Sequence, residues 1–252
     1  WSLHRQFGAK FFDHRDGDDM RLGADFLGPY IENHTALSAL SSHDVRFPLP
    51  ASKDFQILPI IAVRHPVDRA RSVYDFERRQ DANTPGALKA KELSFVDYIH
   101  WRMLPDVGST IRNFHCAFLT SNFHTEIDEQ GYLDSVALLA RTPLVIIVER
   151  YDESMLLLEH NLQQYFPDID LSYIRQNTTP EREGDIEQRI SHVFDELGPE
   201  LTAEFRKKNH WDMKLYEDAN AIMVERLGSL ARVEQLLENF QTRCRRLTSE
   251  LL

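Results

Sequence analysis

The chain has 252 residues, 42% of them hydrophobic, which is enough to bury a substantial core in one large domain. Its net charge of −11 argues against a broad nucleic-acid interface, because such an interface needs clustered cations. Its two cysteines lie far apart and indicate neither a zinc site nor a disulfide framework. The longest apolar runs are too short to cross a bilayer, so no membrane contact is expected within this segment.

The first third of the chain is predicted to contain two helical segments and a buried strand. The residues "SLHRQFGAKFF" predict a short helix closed by Gly8, and "GPYIENHTALSALSS" has apolar residues at helical spacing before two serines end it. The apolar run "FQILPIIAV" is typical of a strand inside a parallel sheet. Pro66 suits the first turn of a helix, so strand, corner and helix are predicted from about Ile57 to Gln80.

The same arrangement is predicted a second time further along the chain. The segment "DANTPGALKAKE" is predicted to be a polar loop, followed by a helix from about Ser94. A second buried strand, "PLVIIV", leads into a helix that Asp152 or Ser154 can cap. Two strand-corner-helix units favour an α/β fold with a central parallel sheet flanked by helices.

The end of the chain is predicted to be one long helix. Apolar residues from Leu230 to Leu251 are spaced alternately by three and four, which makes a heptad seam about three heptads long. We therefore divide the chain into an α/β domain, residues 1–228, and a C-terminal heptad helix, residues 229–252. The seam can pair with a second copy and form a homodimer, or it can fold back on the domain.

The stretch "VRHPVDRARSVY", residues 63–74, predicts a phosphate site. A strand that feeds a helix through a tight turn aims the N-terminus of the helix at the crevice above the sheet, where phosphates bind readily. Arg64 lies at this mouth with a guanidinium that matches phosphate oxygens, and Ser72 lies two turns into the helix. The alternative is that these arginines form a solvated helix face paired with Asp68 and Asp75.

The same stretch resembles the 3′-phosphate-binding motif of PAPS-dependent sulfotransferases, Arg-x-Pro-x-x-Arg-x-x-Ser-x-Tyr after a central strand. The matching residues are Arg64, Pro66, Arg69, Ser72 and Tyr74. Three further passages resemble that family in the same order, namely "SSHDVRF", "VERYDESMLLLE" and "NHWDMKLYEDA". The likeness is greatest to the Golgi-type and bacterial enzymes related to heparan sulfate 2-O-sulfotransferase. It implies a P-loop-like sulfotransferase fold, PAPS as donor substrate and no metal.

The resemblance also implies roles for individual residues. His43 occupies the place of a family histidine, and an imidazole can accept the proton of an acceptor hydroxyl near neutral pH. The alternative is a histidine that caps a loop. "YIRQNTTPE" is similar to a stretch that carries an arginine for the acceptor, which places Arg175 at the substrate mouth, while Arg182 approaches the nucleotide. Arg46 and Arg69 complete a local basic groove with Arg175.

The expected reaction is transfer of a sulfuryl group from PAPS to a hydroxyl of a saccharide or small-molecule acceptor. The acidic net charge favours a less charged acceptor. Among the relatives are soluble bacterial proteins and Golgi-lumen proteins anchored by an upstream helix, so the cytoplasm and the Golgi lumen are both open.

One departure from the family pattern leaves other functions open. Family members begin with a strand and a Lys/Gly/Thr-rich loop that cradles the 5′-phosphosulfate, and this sequence starts at Trp1, in the helix that should follow that loop. We expect the natural beginning upstream. Without the loop, the chain would be a non-catalytic nucleotide-binding or scaffold protein with an oligomerising tail. A nucleotide kinase of related architecture fits the corner motif less well.

Overall fold

The computed structural model describes residues 2–14, 23–175 and 184–251. The first elements are helix α1 (Ser2–Phe7), a 3-10 turn (Gly8–Lys10), strand β1 (Phe11–His14), helix α2 (Ala24–Asn33) and strand β2 (Ala39–Ser42). Strands β1 and β2 pair in parallel, with Phe11 opposite Ala39 and His14 opposite Ser42. The helix predicted in "GPYIENHTALSALSS" is therefore confirmed only as far as Asn33, because its last part is strand β2.

The middle of the chain contains both predicted strand-corner-helix units. Its elements are β3 (Ile60–Val63), α3 (Pro66–Arg79), α4 (Pro85–Glu92), α5 (Phe95–Met103), α6 (Phe114–Leu119), α7 (Glu129–Arg141), β4 (Leu144–Ile147) and α8 (Tyr151–Leu162). Strands β3 and β4 pair in parallel, with Ile60 opposite Leu144 and Val63 opposite Ile147. The predicted succession of strand, corner and helix is confirmed at both places.

The described strands form two separate sheets, β1–β2 and β3–β4, and not one central sheet. The prediction of an α/β fold with parallel strands is confirmed, whereas the prediction of one central sheet is not. Strand β4 is buried along its whole length, as expected of a strand covered on both faces, whereas β3 alternates. Ile60 keeps 39% of its surface exposed, because this side of β3 faces a cavity.

The prediction of a polar loop between residues 81 and 92 is wrong for its second half, where α4 lies. Thr84 caps this helix, accepting a hydrogen bond from the Ala87 amide (3.3 Å), and Pro85 occupies its first position. Gly86 packs directly on the buried ion pair of Glu77 and Arg102. The cap and the proline are helix-start signals within a segment that also contains loop-forming residues.

The predicted cap of α8 is also wrong. The helix begins at Tyr151 after Arg150, which makes no side-chain cap, so Asp152 and Ser154 lie inside the first turn. The buried Ser154 hydroxyl instead accepts a hydrogen bond from the Ile147 amide (2.9 Å) and donates one to the Arg150 carbonyl (2.8 Å). It thereby fixes the corner between β4 and α8.

Three long helices complete the chain: α9 (Ile186–Lys208), α10 (His210–Gly228) and α11 (Val233–Leu251). Helix α9 has a break at Gly198, whose φ of 72° is not helical. The chain nevertheless continues as helix to Lys208. Within residues 2–14, 23–175 and 184–251, no helix is both long and apolar enough to span a membrane.

Helix α11 confirms the predicted C-terminal helix and packs on its own domain. Its seam residues Val233, Leu237, Phe240 and Cys244 join a core cluster with residues of β4 and α8. Phe240 is fully buried, and the Arg243 guanidinium lies 2.6 Å from the Glu159 carboxylate of α8. The seam is thus used within the chain, and the homodimer through this helix stays a prediction.

Candidate functional site

A large cavity of about 1010 Å³ lies between strands β2 and β3, since residues of both strands line it. The structure brings five of the predicted site residues to its wall: His43, Arg46, Arg64, Arg69 and Ser72. His43 and Arg46 follow β2, whereas Arg64 follows β3 and the other two lie on α3. The cavity therefore unites the candidate base with the candidate phosphate-binding side chains.

Arg64 is the first residue after β3, and its guanidinium is held by a carboxylate of its own corner. Its Nε and Nη2 atoms lie 2.7 and 2.6 Å from Oδ2 of Asp68, which follows Arg64 by four positions and lies in the first turn of α3. Asp68 is buried, and its other oxygen accepts a hydrogen bond from Arg189 (3.0 Å). The pairing that the alternative predicts is thus present between Arg64 and Asp68, and Arg71 lies 3.4 Å from Asp75. The Arg64 pair is not a solvated helix face, however, because Asp68 is buried and Arg64 precedes α3.

Three backbone amides at the start of α3 donate hydrogen bonds within the protein. The Arg64 amide donates to Nε2 of His115 (3.3 Å), and the His65 amide donates to Glu149 (2.9 Å). Pro66 has no N–H, and the Val67 amide donates to Nδ1 of the His65 side chain (3.3 Å). An anion at this corner would therefore be held by side chains rather than by these amides.

Glu149 itself supplies a negative group at this helix N-terminus. Burial raises the pKa of its carboxyl group, against the lowering effect of the hydrogen bond from the His65 amide. The neighbouring Tyr216 hydroxyl has its pKa raised to about 12 by burial and by the negative charge of Glu149. The carboxylate thus occupies a position that an external anion could otherwise take.

A buried aspartate–histidine pair supports this corner, and no sequence motif predicted a functional role for either residue. Nδ1 of His115 lies 3.1 Å from Oδ2 of Asp212, and Nε2 accepts the Arg64 amide, so the ring proton lies on Nδ1. The same carboxylate accepts hydrogen bonds from the backbone amides of His115 (2.8 Å) and Cys116 (2.9 Å). Burial acts to raise the pKa of Asp212, and these hydrogen bonds outweigh it and leave the pKa lowered.

His43 is exposed at the turn after β2, and its neighbours hold that turn in place. Nδ1 of His14, at the end of β1, lies 3.0 Å from the Ser42 hydroxyl and 3.5 Å from the Asp44 carboxylate. The Asp44 amide donates to the same hydroxyl (2.9 Å). The parallel register places His14 opposite Ser42, which explains why a residue so far back in the sequence supports His43.

The remaining predicted residues lie elsewhere. Arg175 is exposed and lines a second cavity of about 830 Å³, together with Glu149 and Arg189. Ile60 lines both cavities, so the two adjoin. The predicted groove of Arg46, Arg69 and Arg175 is therefore not formed in the first cavity, and Arg182 lies outside the described residues.

The fold and the site define a helix-rich α/β protein with a large cavity between two pairs of parallel strands. The chain is 32% identical over 193 residues to an uncharacterized protein of Archaeoglobus fulgidus, and the match covers 75% of this chain and 76% of that protein. It belongs to the family of this archaeal protein. No family model and no solved structure matches the chain.

Proposed function

We propose that the protein is a PAPS-dependent sulfotransferase that acts on an acceptor hydroxyl. The observation that carries the proposal is the position of Arg64, Ser72 and His43 on the wall of one cavity. Arg64 and Ser72 belong to the stretch that resembles the family's 3′-phosphate-binding motif, and His43 belongs to a second passage that resembles it. Residues from two distant passages thus line one cavity, which supports the proposal.

In the proposed reaction the acceptor oxygen attacks the sulfur of PAPS. A bond forms between the acceptor oxygen and sulfur, the bond between sulfur and the bridging phosphate oxygen breaks, and adenosine 3′,5′-bisphosphate leaves. His43 accepts the proton of the acceptor hydroxyl. Arg64 and Ser72 hold the 3′-phosphate and fix the donor, so positioning supplies part of the rate enhancement.

The first test is calorimetric binding of adenosine 3′,5′-bisphosphate. Charge-assisted hydrogen bonds of this kind correspond to roughly 10- to 100-fold in affinity, so Arg64→Ala and Ser72→Ala are expected to weaken binding, the first by this amount. Arg78→Ala is the matched control, because Arg78 is exposed on the same helix and lies outside the cavity. Equal affinity in the Arg64→Ala and Arg78→Ala variants would refute the assignment.

The second test is transfer of labelled sulfate from PAPS to an acceptor hydroxyl by the full-length protein. Loss of a general base reduces the rate by about 10²- to 10⁴-fold, and this is the expected effect of His43→Ala. Unchanged binding of adenosine 3′,5′-bisphosphate in the same variant would show that the donor site is intact. A His43→Ala variant with full transfer activity would remove His43 from the mechanism.

A non-catalytic nucleotide-binding or scaffold protein is the second candidate function. The observation in its favour is that Asp68 holds the Arg64 guanidinium, and that His115 and Glu149 take the amides at the start of α3. A full-length protein that binds adenosine 3′,5′-bisphosphate but transfers no sulfate to any acceptor would support this candidate.

A further inference from the structure

An aromatic wall forms one end of the large cavity. The rings of Phe114, Phe118 and Phe123 lie 6.1 to 6.4 Å apart between centroids, and all three line the cavity. Phe118 and Phe123 also pack against the hydrophobic core that contains β3 and β4 residues. The wall is therefore anchored, and each ring is only partly covered.

Two arginines that were expected to bind the acceptor are held against this wall. The Arg46 guanidinium lies 5.2 Å from the ring centroids of both Phe118 and Phe123, and it donates to the His43 carbonyl (2.9 Å). The Arg69 guanidinium lies 3.5 Å from the centroid of Phe114. Cation–π contacts of this kind fix a guanidinium in one orientation.

Arg69 is also bonded to the backbone and removed from water. Its Nη1 atom donates to the Thr110 carbonyl (2.5 Å), and burial lowers the pKa of the guanidinium to about 10. The guanidiniums of Arg46 and Arg69 are therefore held by the protein itself. They do not extend into the cavity as a pair of cations that could bind several sulfates or carboxylates.

The wall connects the candidate base to the candidate phosphate site. Arg46 joins the His43 carbonyl to the rings of Phe118 and Phe123, and Arg69 joins the ring of Phe114 to helix α3, which carries Ser72. The rings therefore line the same cavity as His43 and Arg64, where the acceptor would bind.

We propose that this end of the cavity binds the acceptor as a neutral alcohol with an aromatic body, a proposal that rests on the function proposed above. Aromatic rings attract one another in stacked and edge-to-face arrangements, beyond the effect of their buried area. The guanidiniums of Arg46 and Arg69 are already engaged by phenyl rings and backbone carbonyls, so a polyanionic saccharide would gain little from them. The net charge of −11 opposes a polyanion further.

The test uses 4-phenylphenol as the probe and measures its binding by calorimetry and ligand-observed NMR. Loss of about 1.4 kcal/mol corresponds to tenfold in affinity, so Phe118→Ala and Phe123→Ala are each expected to weaken probe binding by about tenfold. Tyr165→Ala is the control, because Tyr165 is exposed and does not line the cavity. Phe118→Leu keeps an apolar side chain without a ring, and it is expected to fold normally and to bind the probe more weakly than the wild type.

A parallel titration with adenosine 3′,5′-bisphosphate separates this inference from the proposed function. Binding of the nucleotide with no binding of 4-phenylphenol would overturn the aromatic acceptor site and leave the sulfotransferase proposal standing. Equal probe affinity in the wild type and the Phe118→Leu and Phe123→Ala variants would overturn it too. Binding of the probe without the nucleotide would support the aromatic site and contradict the proposed function.

Discussion

Asp212 on α10 binds the N-terminus of α6, and through His115 it also supports the corner that carries Arg64. Its carboxylate accepts the backbone amides of His115 and Cys116 and contacts the His115 ring, whose opposite nitrogen accepts the Arg64 amide. Helix α10 thus controls the position of the candidate phosphate-binding residue without contacting the cavity through Asp212 itself.

We expect Asp212→Ala to be strongly destabilising. The substitution leaves two buried amides and a histidine ring without their acceptor, and losses of this kind lower the free energy of unfolding by about 3 kcal/mol. Urea unfolding at pH 7 measures the change. Glu217→Gln serves as the control, since Glu217 is exposed on the same helix. A loss no larger than that of the control would contradict the role given to Asp212.

His65 should make stability depend on pH in the weakly acidic range. Burial lowers its pKa from 6.5 to about 4, although Asp68 acts in the opposite direction. Between these two values the unfolded chain binds a proton that the folded chain does not bind, so stability falls as the pH falls.

The His65→Asn variant tests this effect, because an asparagine can still accept the Val67 amide but does not titrate. Between pH 6.5 and 4 we expect the unfolding free energy of the wild type to fall more steeply with decreasing pH than that of the variant. The difference in slope corresponds to at most about one proton more bound by the unfolded state than by the folded state. Exposed His124 provides the control as His124→Asn. Parallel curves for the wild type and His65→Asn would show that His65 titrates normally.

A methyl group at position 86 should disturb the buried ion pair beneath α4. The Cβ atom of an alanine there would overlap Nη2 of Arg102 and the carboxylate of Glu77, which lie 2.6 Å from each other. Overpacking of a core costs about 1–3 kcal/mol, so we expect Gly86→Ala to lower the free energy of unfolding by an amount in this range or above it. Gly108→Ala is the matched control, because no heavy atom lies within 4 Å of a Cβ atom there. Similar stability of both variants would contradict the prediction.

The sequence predicted those elements of the fold whose signals are local. The apolar runs of β3 and β4 and the heptad spacing of α11 each come from the residues of the element itself. Strands β1 and β2 do not lie in long apolar runs of this kind, and their segments fit a helix as well as a strand. Their pairing depends on contacts between residues 28 positions apart, which periodicity does not record.

The candidate site was predictable to the same limited extent. Arg64, Arg69 and Ser72 share one corner and one helix, so their spacing alone brings them to the same cavity. The contact between His115 and Asp212 joins residues 97 positions apart. Asp212 lies in the passage "NHWDMKLYEDA", which resembles the family, but the resemblance gave this aspartate no role. Arg175 was placed by resemblance, and the structure puts it in the adjoining cavity.

Docking of α11 should depend on Phe240, which is fully buried on the domain. Replacing a buried phenylalanine by alanine costs about 3–5 kcal/mol, so Phe240→Ala should lower the unfolding free energy by this amount and expose α11 to proteases. Leu236→Ala is the control on the same helix, since Leu236 keeps 37% of its surface exposed.

The same variant distinguishes packing within one chain from pairing between chains. If the seam packs only on its own domain, the unfolding midpoint of the wild type and the loss caused by Phe240→Ala do not change with protein concentration. A midpoint that rises with concentration in the wild type but not in Phe240→Ala would show that the seam also joins two copies. Sedimentation of both proteins over the same concentration range provides the independent measurement.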